Sequence, residues 1–429
     1  MSRPMLSSRR AFLGQTAAIA VGWHVASARP AWSAPTPNEK LNIGVIGPGG
    51  RGFDNLQGVA GENIVAICDA DLRRAKNAFE KFPGATQYQD FRRMIEKEKL
   101  DAVVVSTPDH MHAPASLWAM RRGLHCYCEK PLAHSVWETR IMAQTAKEHH
   151  LATQMGTQIH ATDNYRRVVE VIQSGAIGPV TEVQVWVNKD WGGGERPTDT
   201  PEVPKDLDWE AWLGPAPFRP YHSTYLPAEW RRWWVFGNGT LGDMGCHYID
   251  LVFWALALRH PTTIEASGPA VHAETCPRGM KVTWEFPTRG ELPPVKVTWT
   301  DGNMTENKHD GHEFPGAGIY FKGSKGSMFA DYGGYRLFPE DQYKEFKAPA
   351  PTIAASVGHH QEWINACKTG SPTLCNFDYS GALSESVLLG MVAFRAGQKL
   401  AWDGATMQVK NSDKAQGLLK REYRTGWEM

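Results

Sequence analysis

The chain has 429 residues with 46 Lys+Arg against 46 Asp+Glu, a formal net charge of zero that points to no nucleic-acid partner and no anionic membrane surface. At this length a single core is unusual, so two domains are expected. The 17 Trp, most of them beyond Lys189, suit the faces of sugar rings and equally the filling of a core.

The N-terminus carries a twin-arginine run, Ser8-Arg9-Arg10-Ala11-Phe12-Leu13-Gly14, and a small apolar stretch from Ala11 to Ala28 broken by Gln15, Trp23 and His24. That stretch is too weak to span a bilayer, and no other segment is apolar enough, so no integral membrane contact is expected. Residues 1–34 read as a twin-arginine signal and linker, cut between Ala28 and Ala34, which places the mature protein in the periplasm or outside the cell. Export in the folded state suits a protein that must already hold a dinucleotide, because the binding cleft exists only in the native chain. The alternative is an arginine-bearing N-terminus of a cytosolic protein. About 395 residues remain after the leader, again a two-domain length.

Residues 38–156 alternate strands and helices. Strands are predicted at Asn42 to Ile46, Ile64 to Cys68, Ala102 to Val105 and His125 to Cys128, and helices at Arg51 to Val59, Leu72 to Phe82, Ala115 to Arg122 and Val136 to His149. This rhythm implies an α/β Rossmann domain, a doubly wound parallel sheet with ligands at the carboxyl ends of its strands. Between the first strand and first helix stands Gly47-Pro48-Gly49-Gly50-Arg51-Gly52. Such a loop gives a tight turn, a close backbone approach to pyrophosphate and tight helix packing, over a helix N-terminus that favours anions. Asp69 follows Gly47 by 22 residues, at the end of the second strand, where a carboxylate would hold ribose hydroxyls and repel a 2′-phosphate. NAD is therefore expected over NADP, although Arg73 and Arg74 leave the second possible. Cys126 and Cys128 form the one close pair among seven Cys; two residues apart on a strand they are poorly placed to bridge, so buried thiols are expected.

Three further patches follow in order: Ser106-Thr107-Pro108-Asp109-His110-Met111-His112, then Glu129-Lys130-Pro131, then Gly242-Asp243-Met244-Gly245-Cys246-His247-Tyr248-Ile249-Asp250. With the glycine loop they resemble the Gfo/Idh/MocA oxidoreductases over nearly all of the mature chain. The resemblance implies that residues 157–429 form an α/β domain with a large open, mostly antiparallel sheet through which subunits associate as a homo-oligomer. It implies that Lys130 lies between nicotinamide and substrate, commonly before a cis proline, and that Asp243 and His247 form the pair whose His accepts a proton. It further implies that Ser106, Thr107, Pro108, His112, Glu129 and Gln158 line the dinucleotide. The segments Leu207 to Pro215 and Trp230 to Trp234 look like an exported, sugar-acting branch.

The chemistry points to the same roles. Oxidising a secondary alcohol removes a hydride and a hydroxyl proton, so a base must touch the oxygen. His247 is suited to that role, with Asp243 on the same face if the segment is helical and able to orient the imidazole. Lys130, desolvated beside nicotinamide, would polarise the alcohol or share its proton. Asp243, His247 and Asp250 also admit a reading as metal ligands, but no metal is expected where hydride chemistry already accounts for them.

In the second domain a helix is predicted over Asp163 to Gln173 and a strand over Val180 to Lys189. Residues 190–239 form a Trp-, Pro- and Gly-rich excursion of the kind that serves binding. Strands follow at Thr262 to Ala266, Met280 to Phe286, Val295 to Asp301, Gly318 to Phe321 and Ser327 to Asp331, then helices at His359 to Lys368 and Tyr379 to Ala396. His160, Tyr165, Arg166, Trp191, Arg232, Trp233, Trp234 and Asp250 are candidate substrate-pocket residues.

These features describe an oxidoreductase moving hydride between nicotinamide and a sugar, glycoside or polyol. A freely dissociating cofactor would stall outside the cytoplasm, so tightly bound NAD is expected, with either a redox-neutral cycle or an electron-acceptor partner. The redox-neutral alternative is an NAD-dependent glycosidase that oxidises, eliminates, hydrates and reduces, with Tyr165 or His160 as second base. A further alternative is a non-catalytic sugar or nucleotide sensor on the same fold.

Overall fold

A computed structural model describes residues 39–429; the leader expected over residues 1–34 lies outside the described residues. The first half runs β1 (Asn42–Ile46), α1 (Arg51–Gly58), β2 (Asn63–Cys68), α2 (Leu72–Lys81), β3 (Thr86–Tyr88), α3 (Phe91–Lys97), β4 (Ala102–Val105), α4 (Asp109–Met120), β5 (His125–Glu129), α5 (Val136–Glu148) and β6 (Thr153–Gly156). All six strands are parallel, in the order β3-β2-β1-β4-β5-β6. The order reverses between β1 and β4, which opens a crevice at their carboxyl ends.

The sequence reading missed β3, α3 and β6, which are short, and started α4 six residues late. The segment 109–112 is the first turn of α4, and Pro114 sits inside that helix. Proline lacks the N–H that would reach the carbonyl four residues back. Arg421 supplies the missing donor: its Nη2 bonds His110 O at 2.6 Å.

The second half comprises α6 (Asp163–Gln173), β7 (Val180–Val187), α7 (Trp209–Leu213), α8 (Gly239–Leu256), β8 (Thr263–Ser267), β9 (Lys281–Phe286), β10 (Val295–Asp301), β11 (Lys308–His309), β12 (His312–Glu313), β13 (Ala317–Gly323), β14 (Ser327–Ala330), β15 (Tyr335–Phe338), α9 (His359–Thr369), α10 (Phe377–Ala396), β16 (Leu400–Asp403), β17 (Gln408–Val409) and α11 (Asp413–Leu418). Nine strands make one open sheet, β15-β14-β13-β7-β10-β9-β8-β16-β17, antiparallel throughout except for the parallel pair β7 and β10.

One face of this sheet is apolar. Val183, Val185, Val282, Trp284, Val297 and Trp299 belong to the core that also holds α6, α8 and α10. Trp284 fixes the register of α10 by donating Nε1 to Ser386 O at 2.8 Å. Buried α10 side chains such as Leu383, Leu389 and Phe394 each contribute about 1.5–3 kcal/mol of burial. On the opposite face Glu182, Gln184, Lys281, Glu285 and Lys296 stay partly or fully exposed, while Trp186, Phe314, Tyr320, Phe329 and Phe338 form a separate buried cluster. The core of the apolar face continues through α5, which packs on α10, into the parallel sheet.

The excursion at 190–239 is ordered by its own aromatic cluster, in which Trp209, Trp212, Tyr225, Trp233 and Phe236 are buried together. Its backbone is tied to the β2–α2 loop, with Leu72 N on Asp206 O at 2.9 Å and Asp208 N on Ala70 O at 2.8 Å. The excursion therefore walls the crevice opened by the parallel sheet.

Candidate active site

The glycine loop is shaped by backbone proximity. Gly47 N bonds Cys68 O at 2.8 Å and Ser106 N bonds Ile46 O at 2.8 Å, so the loop passes between β2 and β4. Gly47 has φ +76°, and a Cβ there would lie 2.8 Å from the Ser106 carbonyl; a Cβ on Gly52 would strike the Gly47 carbonyl. The N-terminus of α1 has no side-chain cap; Gly52 N and Phe53 N bond the carbonyls of Gly49 and Gly50, and the positive end of the helix still faces the place an anion would take. Gly47, Gly49, Gly50, Arg51, Asp69, Ser106, Thr107, Pro108, Glu129 and Gln158 all border one cavity of ≈ 780 Å³.

Asp69 ends β2 half-buried, its Oδ1 accepting from Asp71 N at 2.9 Å. Burial pushes its carboxyl up to about 7. The two arginines of α2 part company. Arg73 is held bidentate by Asp71, with Nε at 2.7 Å and Nη2 at 2.6 Å, whereas Arg74 borders the cavity over Gly49 and Gly50. Glu129 is fixed by Asn55 Nδ2 at 2.9 Å and Gln158 Nε2 at 2.7 Å, both donating to Oε1. These residues fit a dinucleotide: a helix start without a side-chain cap, a cradle that a Cβ would fill, and a carboxylate at the end of the next strand bordering the same cavity.

At the other end of the cavity stand Lys130, at the close of β5 before a cis Pro131, and Asp243 and His247 from one face of α8. Lys130 Nζ donates at 2.8 Å to both Asp243 Oδ1 and Asp243 O. Arg231 Nε adds a bond to Oδ1 at 2.9 Å, and Trp191 Nε1 one to Oδ2 at 2.8 Å. Burial alone would raise the Asp243 carboxyl, but the charges of Lys130 and Arg231 prevail and hold it well below the usual carboxylate range. His247 is lowered to about 3, by burial first and by the Lys130 charge second, so its imidazole is neutral. Its Nδ1 is buried without a partner among the described residues.

Asp243 was expected to orient His247; it does not. Its oxygens are taken up by Lys130, Arg231 and Trp191, and it reaches His247 only through space. Of the residues expected to line the dinucleotide, His112 and Gly52 do not border the cavity. His112 lies behind the wall, bonded to Pro131 O at 2.7 Å and Thr107 O at 2.8 Å, and Gly52 is packed beneath Gly47.

Most of the expected substrate residues are also structural. His160 and Asp250 are buried against each other, Nδ1 to Oδ2 at 2.9 Å, under the Trp254 ring stacked at 3.9 Å. Tyr165 is fully buried and donates to His247 O at 3.0 Å, so it supports the backbone of that residue without facing the cavity. Arg166 is buried on His160 O, Arg232 pairs with Glu229, Trp233 belongs to the aromatic cluster and Trp234 donates to His272 O at 2.9 Å. The reason is register: in the run 230–234 it is Trp230 and Arg231 that border the cavity, together with the expected Trp191. Asp243, His247 and Asp250 do not converge; the potential ligand atoms brought within 4.8 Å are those of His160, Asp250 and Cys375. Asp250 is already bonded there to His160 and to Tyr379 Oη. All seven cysteines are free and buried.

Sequence reasoning missed Lys189, Trp230, Arg231, Met244 and Tyr332. Tyr332 comes from the turn after β14, stacks on Tyr248 at 4.6 Å and borders the cavity beside His247. Nothing local marks such a turn residue, and nothing local separates Arg231 from its neighbour Arg232.

Residues 41–157 match the family described as the NAD-binding Rossmann fold of the oxidoreductase family, and residues 163–429 match its C-terminal alpha/beta domain. An inositol 2-dehydrogenase of Rubrobacter xylanophilus is 32% identical over 154 residues, 35% of this chain and 44% of that protein. A levoglucosan dehydrogenase of Pseudarthrobacter phenanthrenivorans is 24% identical over 224 residues, 50% of each. The chain thus spans about half or less of the length of the curated relatives it matches. The WlbA dehydrogenase of Bordetella pertussis, solved with NADH and UDP-GlcNAcA, superposes with a TM-score of 0.63 at 17% identity, covering 86% of this chain and 99% of that one. The aldose-aldose oxidoreductase of Caulobacter crescentus gives 0.57 at 18% identity, covering 85% and 100%. By both family matches, which together take in nearly every described residue, this chain belongs to the Gfo/Idh/MocA oxidoreductase family.

Proposed function

We propose that this protein is a nicotinamide-dependent dehydrogenase that oxidises a secondary alcohol of a sugar, glycoside or polyol, with NAD favoured over NADP. One observation carries the reading: the Lys130–Asp243 ion pair and a neutral His247 share a single cavity with the glycine loop and Asp69. Bound nicotinamide supplies the hydride acceptor. The Lys130 ammonium, fixed by Asp243, stabilises negative charge growing on the substrate oxygen, which makes the hydroxyl more acidic. A weakly basic imidazole then suffices to take its proton, and His247 keeps a lone pair available at neutral pH. Asp243 stays ionised throughout and serves as the anchor of Lys130 and Arg231.

The inositol and levoglucosan dehydrogenases among the relatives favour a carbohydrate or polyol substrate. The glycosidase reading loses both candidates for its second base, since Tyr165 and His160 are buried away from the cavity. Twin-arginine export, firm retention of NAD, a homo-oligomer joined through the nine-stranded sheet and an external electron acceptor complete the proposal. The test is to denature the purified protein, assay released dinucleotide, and then follow keto-sugar formation on a panel of sugars, glycosides and inositols. One keto product per acceptor reduced is expected. Free aglycone without keto product would overturn the dehydrogenase reading, and a protein that neither carries nor binds NAD or NADP would overturn the cofactor.

A further inference from the structure

The reactive end of the cavity holds more positive charge than its own residues neutralise. Lys130, Lys189 and Arg231 border it against the single carboxylate of Asp243. Lys130 and Arg231 are both directed at that carboxylate. Lys189, two residues beyond the end of β7, has no carboxylate partner among the described residues; its Nζ approaches the Met244 thioether at 3.4 Å. Its neighbour Asp190 is matched to Arg278 at 3.6 Å. Glu129 is bonded to Asn55 and Gln158 at the nucleotide end. Asp109, whose charge also reaches Lys130 and Arg231, lies outside the cavity lining and is pushed by burial up to about 7.

Arg231 is built for a fixed orientation. Its guanidinium lies 4.3 Å from the Trp230 ring centre and 5.4 Å from that of Trp191. Its Nε is committed to Asp243 and its Nη1 to Ala228 O at 3.5 Å, leaving Nη2 without a partner among the described residues. A planar donor edge held beside aromatic rings, with a second cation close to the same helix turn, is the arrangement that receives a carboxylate. Lys189 Nζ contacts Met244, the residue that follows Asp243 on α8, and Lys189, Arg231, Lys130 and His247 border the same cavity, so a bound anion would share that cavity with the reacting hydroxyl.

We propose that the substrate is an acidic sugar or polyol, its carboxylate received by Lys189 and the free edge of Arg231. This rests on the dehydrogenase reading above and narrows its substrate class. The hydride chemistry is unchanged; the two cations set which alcohols are presented to Lys130 and His247. Charge-assisted hydrogen bonds of this kind discriminate by about tenfold to a hundredfold against a partner that lacks the charge.

The experiment compares matched pairs on the NAD-loaded full chain: methyl glucuronide with methyl glucoside, methyl galacturonide with methyl galactoside, and gluconate with glucitol. The acidic member of at least one pair is expected to show a kcat/KM about tenfold or more above its neutral partner, a preference that shrinks with added salt. In Lys189→Met the ratio should fall toward one, chiefly through KM, and Lys189→Arg should restore it. Equal or better turnover of the neutral members, or an unaltered ratio in Lys189→Met, overturns the proposal. A preference for glucose 6-phosphate over glucuronate assigns the cations to phosphate and overturns it as well. Should no sugar be turned over while NAD is bound, the hydride-transfer reading is what fails. Calorimetric titration of the same pairs then decides the anion site alone, wild type but not Lys189→Met binding the acids if it is correct and both proteins binding neither if it is wrong.

Discussion

Asp69 is the group in the nucleotide end whose protonation changes nearest neutrality. Its folded pKa, about 7, lies above the value an unfolded aspartate has, so ionising it costs the fold stability as pH rises toward 7. A ribose hydroxyl donating to the carboxylate favours the opposite, ionised form. Affinity for NAD should therefore rise with pH and level off above about 7, falling by up to about tenfold per unit below it. Asp69→Asn should flatten that profile and weaken discrimination against NADP, as read by fluorescence titration; an identical profile in the variant removes Asp69 from the ribose. At the reacting end, Lys130→Met should cut kcat by about a hundredfold or more while NAD still binds, because Arg231 and Trp191 continue to hold Asp243. Adding His247→Asn should cost less than the product of the two single losses, since both act on one proton. Fully multiplicative losses would mean separate roles. The sequence marked Lys130 and His247 by motif, but it paired Asp243 with the wrong partner, because helical spacing says which side chains share a face and not which outside cation reaches them first.

α5 shows how an element far along the chain stiffens the parallel half. Its start is a capping box: the Ser135 side chain accepts from Glu138 N, and Glu138 accepts from Ser135 N at 2.9 Å. Glu138 is fully buried, and the C-terminal tail completes it, Arg421 Nε and Tyr423 Oη each donating to Oε1 at 2.8 Å. The same arginine satisfies the carbonyl that Pro114 leaves open in α4. Arg421→Met should destabilise the protein by about 3–5 kcal/mol, because a buried carboxylate loses its cation. Denaturant unfolding measures this, and a change below about 1 kcal/mol would show that Tyr423 and the helix start suffice. Most strands and helices with apolar runs were legible beforehand, although α8 was read as helical only conditionally. Short β3 and β6 were not, since Thr86–Tyr88 and Thr153–Gly156 lack the β-branched run that marks the equally short β4, and neither was the tail, whose purpose exists only against α4 and α5.

In the whole molecule one core runs from the parallel sheet through α5 and α10 to the nine-stranded sheet. The two halves should consequently unfold together: tryptophan fluorescence and far-ultraviolet circular dichroism should report one coincident transition. NAD at a hundred times its Kd should shift that transition as about 2.7 kcal/mol of added stability. Two separated transitions would show that each half is stable alone. By itself the sequence determined the family, the parallel sheet, the glycine loop with Asp69, and Lys130 and His247 as chemical candidates, because each is written in contiguous residues whose backbone demands are local. It also proposed a leader over residues 1–34, which lies outside the described residues. Tertiary structure alone decided that His160, Tyr165 and Asp250 are buried supports, that Arg231 and not Arg232 enters the cavity, and that Tyr332 stands beside His247. Those outcomes depend on which face of an irregular segment meets α8. That choice is fixed by packing between residues distant in sequence, such as the aromatic cluster under the excursion, and by no periodicity within the segment itself.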